Sequence, residues 1–272
     1  MNSYVIFSDP GCDFSIEEAN RLNVTILPYL INIGDKSYVT TLSWDNFSEK
    51  ELFSMVKDQA PSFSRPPLGD WFNIIEDKFK QGLDVLYIGM TQKITGSINS
   101  LSVIYKSLSE KYQDRKLITI DSLTVGRSLA LYVEKAAKNL QEGMSLEENE
   151  QYIKSNLNTA KMFWIPKKSL LFKITNRGDA SSLNNVNKFT ILKITEDGQF
   201  VPDQSFKSKK EVYDLLSKEK GRTELSFTND FTEKKAKPIL KNFYNPEVHY
   251  GSSPFTSVVC GPKTVGVMII KK

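Results

Sequence analysis

Short apolar runs alternate along this chain with longer stretches in which apolar residues return every three or four positions. The first pattern suits a buried strand, the second one face of a helix. Residues 5–8 read as a strand, and Asp9-Pro10-Gly11-Cys12-Asp13 as a turn. Ser15 and Glu18 have capping-box spacing, which starts a helix near Ile16. Residues 24–33 are strand-like on both sides of Pro28, and Gly34-Asp35-Lys36 turns the chain back into 38–41 as a hairpin. Ser48 and Glu51 open a helix through Val56, and residues 59–69 form a Pro- and Ser-rich loop. Helix 70–81 carries Trp71, Ile74, Ile75 and Phe79 on one face. Val85-Leu86-Tyr87-Ile88 is a strand, a hydroxyl-bearing turn spans 89–97, and Ile98, Leu101, Ile104, Tyr105, Leu108 and Tyr112 mark the helix that follows. Residues 117–121 are another strand, Leu129 to Leu140 another helix, and Ser145 with Glu148 caps one more through Leu157.

From about Met162 the texture changes. Residues 162–165, 189–195, 224–227, 247–250 and 265–270 read as strands, with helices over 208–218 and 232–243. Strands alternating with helices in the first part predict a mostly parallel, covered sheet. The expected fold class is therefore α/β in two domains, a Rossmann-like parallel sheet over 1–158 and a smaller α/β sheet domain over 159–272. A ligand crevice belongs at the carboxyl ends of the parallel strands, here Ser8-Asp9, Gly89 to Thr95, and Asp121-Ser122.

Composition narrows the function classes. Of 272 residues, 40% are hydrophobic and 25% charged, and 36 basic residues face 32 acidic ones. Lys and Arg never run beyond pairs, which argues against a nucleic-acid footprint. No apolar run is long enough to span a membrane, and the N-terminus lacks the flanks of a signal peptide. Cys12 and Cys260 form no metal pattern, and without an export signal a disulfide is the weaker reading. A reduced, cytoplasmic protein is expected. A lone histidine, His249, excludes a multi-histidine metal site and leaves few general bases. Cys12 suits core filler better than a nucleophile, because no base accompanies it.

The turn at 89–97 carries the most specific chemistry. A strand entering a helix there presents free N–H groups and the positive helix end to an anion. Thr95 and Ser97 add hydroxyls, and Gly96 permits close approach. The competing reading is that Thr95 or Ser97 merely caps the helix. With 16 Phe, 11 Tyr and 3 Trp in the whole chain, a carboxylate on a long apolar tail fits, although the same aromatics serve as plain core. A second class of function places Asp9, Asp13 and Asp121 around a cation for phosphoryl transfer or hydrolysis; the same residues also suit turns and caps.

Read together, these segments resemble the DegV family of bacterial fatty-acid-binding proteins over nearly the whole chain. The opening strand and acidic turn match Ile6-Phe7-Ser8-Asp9, and the proline-bearing binding loop matches Phe63-Ser64-Arg65-Pro66. Ile94-Thr95-Gly96-Ser97, Asp121-Ser122, a loose match from Leu171 to Asp179, and Gly261-Pro262-Lys263 follow in order. The resemblance implies a fatty acid held between two domains, no cofactor or metal, no catalytic residue, and presentation of the acyl carboxylate to a fatty acid kinase. By match, Thr95 with the Gly96 N–H would hold one carboxylate oxygen, with Ser64 beside the other and Ser97 and Phe63 lining the site. Three departures stand out: Phe63 replaces a threonine, Val259 falls where a histidine is usual, and Arg177 and Asp179 disturb a glycine-glycine-arginine segment. They leave open a relative that has lost its lipid and acts as an interaction protein.

Overall fold

The computed structural model describes residues 4–44, 48–55, 61–166, 189–228, 231–261 and 263–271. The segment from Leu171 to Asp179, Val56 and Pro262 lie outside them. The chain begins with β1 (Tyr4–Ser8), a 3-10 turn (Pro10–Cys12), α1 (Ile16–Leu22), β2 (Val24–Ile26), β3 (Tyr29–Ile33) and β4 (Lys36–Thr40). There follow α2 (Glu49–Met55), β5 (Ser62–Ser64), α3 (Leu68–Lys80), β6 (Asp84–Gly89), α4 (Ser97–Lys111), β7 (Leu117–Asp121), α5 (Arg127–Gln141) and α6 (Leu146–Ser155). The remainder is β8 (Ala160–Ile165), β9 (Thr190–Ile194), β10 (Phe200–Ser205), α7 (Lys209–Leu216), β11 (Arg222–Phe227), α8 (Glu233–Leu240), β12 (Glu247–Tyr250), α9 (Pro254–Cys260) and β13 (Val265–Ile270).

Four strands, β2-β1-β6-β7, form an all-parallel sheet. Its centre is β6, whose Val85, Leu86, Tyr87 and Ile88 are all fully buried, as a strand covered on both faces requires. Helix α3 packs on β6 and α4 on β7, while α5 covers β1 and β6. Six strands in the order β10-β9-β8-β13-β11-β12 form a second sheet, antiparallel except where β11 meets β12. A third sheet, β4-β3-β5, is a small antiparallel flap. The expected helix starts hold: Ser15 with Glu18 and Ser145 with Glu148 form complete capping boxes, and Ser48 and Glu51 bond reciprocally in the same way. The Ser208 hydroxyl accepts from the Glu211 N–H, while the Glu211 carboxylate accepts from the Lys207 N–H.

Strand alternation sorts the second sheet into two faces. Phe163, Ile165, Val265, Val267 and Ile269 face α7 and α8. Met162, Trp164, Leu192 and Met268 instead join the core of the parallel sheet. Helix α9, which the hydrophobic pattern does not predict, is buried along its whole length and contributes Phe255, Val259 and Cys260 to that same core. Ser253 caps it, and Pro254 occupies its first turn, a legible start signal. Two other elements differ from expectation. Part of the loop at 59–69 pairs with β3 as β5, because its alternating Ser-Phe-Ser can lay Phe63 beside Ile31. Residues 200–205 form β10, folded back on β9 by the turn at Asp197-Gly198.

That turn also docks on the parallel sheet. The Thr91 hydroxyl donates to the Gly198 carbonyl at 3.0 Å in a buried contact. Gly198 has φ +85°, and a Cβ there would lie 2.2 Å from Thr91 Oγ1. Gly198→Ala therefore meets both backbone strain and a clash, and should destabilise the protein by about 1–3 kcal/mol. A urea midpoint equal to wild type would show that the contact carries no weight.

Candidate functional site

Parallel pairing brings the carboxyl ends of β1, β6 and β7 together, and the loops leaving them carry the polar groups. Asp9 follows β1 and is fully buried. Its Oδ2 accepts from the Tyr87 hydroxyl at 2.8 Å and from the Met90 N–H at 2.8 Å, and its Oδ1 accepts from the Gly11 N–H at 3.1 Å. The Tyr87 ring folds beneath Gly89, where a Cβ would sit 2.2 Å from the phenol oxygen. Burial raises the Asp9 pKa to about 6, against the pull of the three donors.

Thr95 and Ser97 are buried and turn inward. Their hydroxyls lie 2.9 Å apart, and Ser97 also bonds the Tyr29 hydroxyl. Neither side chain caps α4: Gly96 is the N-cap residue, and the helix start has no side-chain cap bond. The capping interpretation of these residues therefore does not hold. The first-turn N–H groups of a 15-residue helix, with its positive end, stay free of side-chain acceptors. Gly96 is exposed, and a Cβ there would meet nothing within 4 Å, so its backbone is open to approach.

Phe63 and Ser64 are neighbours on β5 and point to opposite faces. Phe63 meets Phe255 at a centroid distance of 4.4 Å, and Phe255 meets Tyr29 at 6.0 Å. Tyr29 in turn packs on Trp71 at 5.5 Å. An aromatic layer thus runs from Phe63 to the Ser97 hydroxyl. Ser64 is exposed and accepts from Asn32 Nδ2 at 3.1 Å. The structure brings Thr95, Gly96 and Ser97 together and links Phe63 to them through two rings, while the Ser64 hydroxyl faces away. Val259 is core. A cleft of about 470 Å³ lies elsewhere, along Tyr132, Met162, Ile194 and Leu216, and none of these site residues lines it.

The three aspartates do not form a cation site. Asp13 Oδ1 accepts from the Ser253 N–H at 3.0 Å, beside the start of α9. Burial raises its pKa to about 6, opposed by the Ser253 donors and the Arg127 charge. Asp121 accepts from the Leu123 N–H at 2.9 Å and the Gln92 N–H at 3.2 Å. Each carboxylate serves its own turn or cap, so the phosphotransferase reading loses its site. Among the described residues the one grouping of three metal-type ligands is Glu224, Glu247 and His249. Arg222 already pairs with both of those carboxylates, at 2.8 and 2.9 Å. His249 lies 3.2 Å from Glu224 and 3.9 Å from Glu18, an ion network joining β11, β12 and α1. Cys12 and Cys260 are free and buried, and burial pushes both thiols far above their usual range.

The sequence model described as "Uncharacterised protein, DegV family" matches residues 3–169. The chain belongs to the DegV family. A DegV domain-containing protein of Clostridium perfringens is 25% identical over 264 residues, covering 92% of each chain. The fold is that of DegV structures. A stearic-acid-binding protein from Eubacterium ventriosum superposes with a TM-score of 0.81 at 19% identity, covering 99% of this chain and 98% of that one. The Streptococcus pneumoniae Fatty Acid Kinase (Fak) B3 protein, loaded with linoleic acid, gives 0.79 at 20% identity, covering 99% and 100%. DegV from Bacillus subtilis, described as a fatty acid binding protein, gives 0.79 at 17% identity over the full length of both chains.

Tyr29, Tyr87 and Phe255 pack around the Thr95–Ser97 turn, and nothing in the sequence singles them out. Tyr29 and Tyr87 sat inside apolar strand runs, where a phenol is indistinguishable from core. Asp13 yields a pH prediction. A carboxyl whose folded pKa exceeds its unfolded value holds more protons folded than unfolded, so stability falls as pH rises from about 4 to about 6. The Asp13 contribution is at most about 3 kcal/mol. Asp13→Asn keeps an acceptor for Ser253 and removes the charge. Urea midpoints at about pH 4.5 and pH 7 should show the variant gaining on wild type at the higher pH. Parallel changes in both proteins would contradict the burial argument.

Proposed function

We propose that this DegV protein binds a long-chain fatty acid between two domains, does no chemistry on it, and presents its carboxylate to a fatty acid kinase. The observation that carries this reading is the buried Thr95–Ser97 hydroxyl pair beside an α4 N-terminus that no side chain caps. That arrangement offers oriented donors to a small anion and leaves nothing to attack it. The fold supports the same conclusion, since one protein of this fold is described as stearic-acid-binding and others as loaded with linoleic or heptadecanoic acid. Tail burial at ~0.8 kcal/mol per CH₂ supplies affinity, and the head group needs only a few donors.

In this reading Thr95 and the Gly96 N–H hold one oxygen and Ser97 positions the Thr95 hydroxyl. Phe63 walls the tail with Phe255. Ser64 borders the site through Phe63, and its hydroxyl would have to leave Asn32 to reach a ligand. The domains are 1–158 and 159–272, with α9 of the second roofing the site built on the first. The protein works in the cytoplasm without metal, cofactor or nucleic acid. No helix of the described residues is long and apolar enough to cross a membrane. A second reading, a relative without lipid that acts through protein contacts, is favoured by one observation: the Phe63–Phe255 contact at 4.4 Å fills the space beside Tyr29.

Thr95→Val removes a hydroxyl and keeps the volume. It should weaken oleate binding roughly tenfold, the worth of one hydrogen bond to a charged group, with a melting temperature close to wild type. Unchanged affinity would move the head group elsewhere. If wild type binds no oleate and Phe63→Thr does, the second reading is right for this chain.

A further inference from the structure

The polar groups behind Thr95 form a line. The Thr95 hydroxyl bonds Ser97, and Ser97 bonds Tyr29. The Tyr87 hydroxyl donates to Asp9, and its electrostatic interactions with Tyr29 and Ser97 continue the line toward Thr95. Every member is buried. One end is a carboxyl; the other, in the proposed function, meets the ligand carboxylate.

Each hydroxyl in such a line has one hydrogen to give. With Asp9 ionised, Tyr87 must point its hydrogen at Asp9. Tyr29 then satisfies Tyr87, Ser97 satisfies Tyr29, and Thr95 is drawn toward Ser97. Its lone pairs, not its hydrogen, then face the ligand. With Asp9 protonated the order can reverse: Asp9 donates to Tyr87, Tyr87 to Tyr29, Tyr29 to Ser97, Ser97 to Thr95, and Thr95 to the ligand. Charge acts in the same direction. A second anion entering a buried site that already holds one is costly, and neutralising Asp9 removes that cost.

We infer that Tyr29, Tyr87 and Asp9 are positioning residues for the head group, and that binding an aliphatic carboxylate is coupled to uptake of one proton from water onto Asp9. The inference rests on the fatty-acid reading above. The O–H bond formed at Asp9 is balanced by the bond to hydrogen that breaks in the buffer acid supplying the proton. The fully buried Asp9 already has a pKa raised to about 6, so a further rise on binding brings its titration toward neutrality. The titratable groups around it are Tyr87 of β6, Tyr29 of β3, and Cys12 and Asp13 of the following turn, with Arg127 of α5 beside Asp13. Burial raises both phenols and the thiol, so they stay neutral over the useful range. Asp13 is the one competitor, since its pKa is also about 6.

The test is oleate binding by titration calorimetry between about pH 6.5 and pH 8.5, in buffers of different ionisation heat, so that proton uptake is counted directly. Wild type should take up a measurable fraction of a proton, and its affinity should fall as pH rises, by up to about tenfold per unit. Asp9→Asn, which can donate to Tyr87 at any pH, should bind without proton uptake and with a flat profile. Tyr29→Phe keeps the ring packing and breaks the line, so it should reduce the slope while leaving the part that the Asp9 charge alone supplies, and it serves as the test if Asp9→Asn fails to fold. Asp13→Asn should keep the wild-type slope. Oleate bound by wild type with no proton taken up overturns the coupling and leaves the fatty-acid reading standing. So does a slope as steep in Tyr29→Phe as in wild type, or one that vanishes in Asp13→Asn. Absence of oleate binding at every pH, in wild type and in Phe63→Thr, removes both.

Discussion

A fully buried carboxylate needs donors, and in this protein the donors chosen by Asp9 organise the ligand end of the sheet. Gly11, Met90 and Tyr87 come from the loops and strands on either side of it. An unpaired charge there would cost several kcal/mol, so these partners are held firmly in place. Gly89 must lack a side chain to admit the Tyr87 ring. Tyr87 interacts electrostatically with Tyr29, and the Tyr29 hydroxyl bonds Ser97 at the start of α4. Local chemistry at one strand end thereby sets the geometry of a turn more than 80 residues later in the chain.

The two halves of the protein are tied by the same means. Asp13 accepts from Ser253 at the mouth of α9, and Thr91 donates to Gly198 in the β9–β10 turn. Helix α9 then places Phe255 against both Tyr29 and Phe63. Apolar packing continues across the join, since Met162, Trp164 and Met268 share a core with the parallel sheet. A ligand lying between the halves would be enclosed by aromatic rings on one side and by oriented hydroxyls on the other.

Much of this architecture was legible in the residues. Periodicity separated β6 from α4, and four Ser-x-x-Glu spacings marked real helix starts. The strand-turn-helix reading put Thr95, Gly96 and Ser97 in one place. Three things were hidden, each for a physical reason. Helix α9 is seven residues long, too short for periodicity, and only Ser253-Pro254 signals it. Strand β5 exists because β3 offers it an edge, which is a tertiary cause. The face that Ser64 presents follows from that pairing register and not from its neighbours in sequence. Tyr29 and Tyr87 show the same limit at the site: a phenol in an apolar strand reveals its partner only when the fold supplies one.

The central claim is that this chain carries a fatty acid. The most direct measurement is native mass spectrometry of the purified protein, followed by solvent extraction and lipid analysis of the same sample. An adduct with the mass of one long-chain fatty acid, recovered in the extract, is the predicted result. A bare protein that also takes up no added oleate or palmitate would contradict the account, and the Phe63–Phe255 contact would then be the closed state of a site that no longer opens.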